Sequence, residues 1–156
     1  MPVWVLAVLQ WLHVFFGIFW FGAVLTLDFI VIPTVMTVSP AVQQAFGGAL
    51  GKRAPKVITP VAGMTILLGL IRGIAGGVLG NLDSAYGLTW IAALVLGTGL
   101  LVFGLRFITP AAEKIQETAP GPEFDAAVEH IKRLTISELG GFALILTFMI
   151  AMRFGY

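Results

Sequence analysis

The chain has 156 residues, of which 58% are apolar and 11% are Asp, Glu, Lys or Arg, against roughly 25% charged in an ordinary soluble domain. Nine basic and eight acidic residues leave a formal charge of +1, so there is no cationic field to hold nucleic acid and no acidic field for a cationic partner. Cysteine is absent, which excludes disulfides, thiolate catalysis, iron–sulfur clusters and sulfur-ligated zinc.

A helix crosses the hydrocarbon core with about 20 apolar residues, and four stretches reach that length. The first, Val3 to Ile32, carries only His13 and Asp28 as ionisable groups. Its N-terminal end is uncharged and contains Trp4, unlike the positive n-region of a secretory signal, so the helix is expected to be retained. Ser39-Pro40 then reads as an N-cap and first helical residue. Val42, Phe46, Ala49 and Leu50 come next at helical spacing until Pro55, which predicts a short interfacial helix. The second span, Val57 to Leu79, carries only Arg72, and its Gly69, Gly73 and Gly77 recur every four residues. That small-xxx-small spacing predicts close helix packing.

The third span, Tyr86 to Ile108, carries only Arg106. After the breaker string Ala119-Pro120-Gly121-Pro122, an amphipathic run from Glu123 to Arg133 leads without interruption into the fourth span, Leu134 to Phe154, which carries Glu138 and Arg153. Lipid offers an exposed backbone no hydrogen-bond partner, and barrel-type alternation is absent, so the spans are expected to be helices. The prediction is an all-α integral membrane four-helix bundle with short cytoplasmic amphipathic connections, a single transmembrane domain over residues 1–156.

Basic residues set the orientation. Lys52, Arg53, Lys56, Lys114, Lys132 and Arg133 lie in the first and third connections, while Gly80 to Ala85 holds none. By the positive-inside rule both chain ends face outward, in a bacterial-type inner (plasma) membrane. The lipid bilayer is the first partner this implies.

Among residues able to carry chemistry, His13 stands roughly 14 Å from the outer end of its helix at 1.5 Å per residue. Gln10, Gly17, Trp20, Val24 and Leu27 share its face. The missing side chain at Gly17, one turn on, would leave a flat ligand room beside the imidazole, with Phe16 and Trp20 as aromatic walls. A b-type haem ligated by His13 meets that description; a neutral His bonded to a neighbouring helix is the alternative. Arg72 falls at a similar depth and calls for an anion, whether a haem propionate, a lipid phosphate or Asp83, unless it snorkels to the headgroups. Met64, and after it Met149 and Met152, are the thioethers available as an opposite ligand for haem iron or for copper. Met in packed helices is otherwise filler. His130 reads as a solvated surface residue beside Glu123. Asp28, Arg106 and Glu138 are predicted to converge near the cytoplasmic boundary as a polar cluster, which either lines a proton or ion path or fixes helix register. No nucleophile elbow or hydrolytic triad can be assembled.

The string Trp11-Leu12-His13 with Gly17, Trp20, Gly22, Asp28 and Pro33 resembles the first helix of small four-helix membrane proteins that include the copper-resistance CopD-like family. Phe46-Gly47 through Arg53 and Tyr86-Gly87 extend that likeness. More distantly, His13 and Ser137-Glu138 resemble the HemJ-type membrane protoporphyrinogen oxidases, although the Pro-Arg pair of that family is replaced around Asp28 and its third-helix Lys is missing near Trp90 to Leu94. The resemblance implies a haem or copper role for His13. Three functional expectations remain: a haem-b redox protein, a copper-handling protein, or a non-catalytic subunit whose glycine-lined helices dock against a redox complex or a second copy.

Overall fold

The structure, a computed structural model, describes residues 1–119 and 121–155. Four helices account for nearly all of it: α1 (Val3–Val35), α2 (Pro40–Ala75), α3 (Ala85–Glu117) and α4 (Pro122–Arg153), each long and apolar enough to cross a membrane. No strand occurs among the described residues. Helices adjacent in the chain lie adjacent in space, with α1 on α2 and α3 on α4 as the most extensive pairs. The ring closes through Phe142 of α4, which meets Trp20 edge-to-face at 4.9 Å and Phe21 stacked at 5.0 Å.

The molecule is apolar outside as well as inside. Trp20, Val24, Ala62, Leu100 and Phe142 form a buried cluster to which all four helices contribute. Trp4, Trp11, Ile18, Phe29 and Ile136 meanwhile stand 63–69% exposed. Water would not tolerate so many large exposed apolar groups, whereas lipid would. This is an integral membrane four-helix protein.

At 1.5 Å per residue each helix is roughly 50 Å long, some 20 Å more than the hydrocarbon core. The surplus is charged and lies at one end. Lys52, Arg53 and Lys56 on α2, Glu113, Lys114 and Glu117 on α3, and the Glu123–Arg133 segment of α4 gather where α1 terminates.

Pro55 does not end a separate interfacial helix. It lies inside α2, as does Pro60. A helical proline leaves the carbonyl four residues back without its donor, here that of Gly51. The Gln116 amide of α3 lies against Gly51 and donates from Nε2 to the nearby Gly47 carbonyl at 2.9 Å. A polar side chain thus stands beside the interrupted turn, and the intact ladder on either side carries the helix through. Ser39 has the extended backbone of an N-cap, though its hydroxyl makes no capping bond. Ser84 does cap, accepting from the Gly87 amide at 3.1 Å at the start of α3. Gly87 must be glycine, because a Cβ there would sit 2.6 Å from Leu82 Cα.

Two helices contain a wider turn. Leu27–Val31 of α1 and Gly104–Ile108 of α3 are π-helical. Each inserts a residue into the helical register and re-aims the side chains beyond it.

Candidate functional site

His13 points into the bundle and is 8% exposed. Its Nδ1 donates to the Thr65 carbonyl of α2 at 2.8 Å. A carbonyl oxygen only accepts, so the proton is on Nδ1 and the Nε2 lone pair faces elsewhere. The ring lies against Gly69: a Cβ added there would come within 2.8 Å of Cε1 and 3.1 Å of Nδ1. Only a residue without a side chain lets the imidazole reach the helix at that point.

The neighbouring glycines act the same way. Trp90 of α3 occupies the space over Gly73, and its indole N–H donates to the Gly69 carbonyl at 3.4 Å. The Arg72 guanidinium folds along its own helix onto Gly76. At 100° per residue Thr65, Gly69, Arg72, Gly73 and Gly76 form one strip of α2. The repeat therefore receives side chains instead of a facing backbone, and Gly77, with φ +85, lies beyond the helix end.

Thr65 and Trp90 are the members of this site that sequence reasoning does not reach. Thr65 contributes a backbone carbonyl, which every residue has. Trp90 carries a readable signal, an indole N–H within an apolar helix that requires a partner.

The remaining sequence candidates lie around or away from this strip. Gly17 faces α2, and the Thr65 methyl fills the space beside it, 3.6 Å from where a Cβ would be. Trp20 is buried against Phe142. Met64 is 39% exposed on the outward side of α2, turned away from the His13 strip. Arg72 Nε is buried without a hydrogen-bond partner. Arg72 does not pair with Asp83, since the ion pair found among the described residues is Arg133–Glu129 at 3.3 Å on the surface. His130 is exposed beside a cleft it shares with Glu123 and Lys114.

For a haem, the donor fits, and the clearance would have to come from the Thr65 methyl giving way beside Gly17. An imidazole anchored through Nδ1 with Nε2 unbonded has the form of an axial ligand, and the unpartnered Arg72 Nε complements a carboxylate. The vacancy expected beside Gly17 is filled by Thr65.

Toward the charged end, Glu138 of α4 is 7% exposed and its Oε1 lies against Gly104. Asp28, in the π turn of α1, stands within electrostatic range of it. Arg106 does not join them and is exposed. Gly104 is the residue that faces Glu138, and two residues further along a helix points to nearly the opposite side. The predicted three-membered cluster is therefore a pair of carboxyl groups with the cation turned outward.

Comparison with family models, with curated proteins and with solved structures yields no match.

Proposed function

We propose that this integral membrane protein binds b-type haem through His13 and takes part in redox or electron-transfer chemistry. The observation that carries the reading is the Nδ1–Thr65 bond, which orients the ring and leaves Nε2 as a free lone pair in apolar surroundings. Haem would supply one-electron chemistry there. Thr65 fixes the tautomer and Gly69 admits the ring, while Arg72, one turn outward, offers a buried N–H with no other partner. The likeness to HemJ-type and CopD-like proteins in the first helix supports the same residue as ligand.

A second reading, a non-catalytic subunit of a larger membrane redox complex or homo-oligomer, is favoured by the Thr65 methyl occupying the Gly17 space. Copper handling rests on the CopD-like resemblance, with Met64 facing away from His13.

A visible spectrum with metal analysis of the protein purified in mild detergent separates the three. A reduced haem-b band lost in His13→Ala supports the first; stoichiometric copper without haem supports copper handling; a colourless, metal-free protein that co-purifies with a fixed partner supports the subunit reading. We further propose that both termini face outward from a bacterial-type plasma membrane, with the charged ends of α2, α3 and α4 in the cytoplasm. Asp83→Cys, in a chain without native thiols, should then react with an impermeant maleimide from outside. Labelling from the inside alone reverses the orientation.

A further inference from the structure

Asp28 and Glu138 are the strongest unanswered feature of the molecule. Glu138 is 7% exposed and its carboxyl group makes no hydrogen bond or ion pair among the described residues. Asp28 Oδ2 is fully buried and also lacks a partner. The two come from different helices: Phe142, one turn from Glu138, packs on Trp20 and Phe21 of α1, which brings Glu138 to the stretch of α1 that leads into Asp28, so their proximity is a product of the fold and not of sequence spacing.

Every charged group able to compensate them is directed elsewhere. On α3 the nearest cation, Arg106, is exposed. On α2 the basic residues Lys52, Arg53 and Lys56 are all exposed. On α4 the nearest cation, Arg133, sits on the surface with Glu129. On α1 Asp28 is the only charged residue. Two bare carboxylates in that position would place two negative charges in an apolar interior with no counter-charge, at a cost of several kcal/mol per ion. The wider turns coincide with the pair. One contains Asp28 and the other opens at Gly104, against which Glu138 rests. Such turns loosen the regular backbone hydrogen bonding where they occur.

We propose that Asp28 and Glu138 form a binding site for one small monovalent cation, a proton or a sodium ion, held between α1 and α4. The cation removes one of the two like charges and gives a partner to carboxyl groups that otherwise have none. The site is independent of His13 and does not require a haem.

The test is carbodiimide labelling of the full-length protein in detergent, read by peptide mass spectrometry. The reagent reacts with protonated carboxyl groups in apolar surroundings and remains attached as an adduct. In sodium-free buffer, selective labelling of Glu138 or Asp28 over the exposed Asp83 and Glu113 is expected, and Asp28→Asn/Glu138→Gln should abolish it. Labelling unchanged by added sodium at constant ionic strength identifies a proton site. Labelling suppressed by sodium, but not by choline, identifies a sodium site. No adduct on the pair, or equal adducts on the exposed carboxyl groups, overturns the proposal. An infrared carboxylic-acid carbonyl band in the sodium-free wild-type protein gives the same answer should the double variant fail to fold; its absence also overturns the proposal.

Discussion

The His13 strip and the Asp28/Glu138 pair are both polar insertions into an apolar bundle, yet they are resolved in opposite ways. At His13 the backbone supplies the answer: a carbonyl accepts from the ring and Gly69 stands aside to admit it. At the pair neither backbone nor side chain responds, and Arg106, the cation expected beside it from depth along the helices, is turned outward. Polarity within a span is therefore not one kind of signal. A group bonded to the fold stabilises it, and a group left unbonded points to something from outside the chain.

Four substitutions probe that contrast. The largest effect is expected from Gly69→Leu, which forces side-chain atoms into a ring tethered at Nδ1; overpacking of this kind costs about 3 kcal/mol and should lower the thermal unfolding midpoint in detergent most of all. If the midpoint is unmoved, the contact between His13 and Gly69 is not a tight one. His13→Ala comes next at about 2 kcal/mol, for the lost bond and the void left behind; an unfolding midpoint equal to the wild type would mean the ring contributes nothing to the fold. Glu138→Gln keeps the shape and removes the charge, so stability should stay within about 1 kcal/mol of the wild type or rise. A drop matching that of His13→Ala would show that Glu138 is tied into the structure after all. Arg106→Gln should change stability by less than about 0.5 kcal/mol, because the side chain is exposed; a larger loss would return it to the polar cluster.

The two regions are unequally legible in the sequence. His13 stands out as an ionisable residue deep in an apolar helix, and its inward direction is a consequence of that depth. The glycine repeat is equally visible, but spacing alone does not distinguish a glycine that admits a neighbouring backbone from one that admits a ring. Gly69 and Gly73 receive His13 and Trp90, which reach them from two other helices. Arg106 is placed with the acidic pair by depth, and depth along an axis says nothing about rotation around it. The π turn at Gly104–Ile108 and the side taken by Gly104 set its direction.

Local runs of residues were enough to establish that this chain lives in a membrane, that it does so with four helices, and which few residues interrupt their apolar character. Those conclusions rest on length and composition, which lipid enforces segment by segment. Packing in three dimensions was needed to show that Pro55 lies inside a helix, that Thr65 fills the space beside Gly17, and that Asp28 and Glu138 are left in electrostatic range of each other with Arg106 turned outward. Most of this depends on how one helix is rotated against another, and rotation is set by side chains meeting across helices, far apart in the chain.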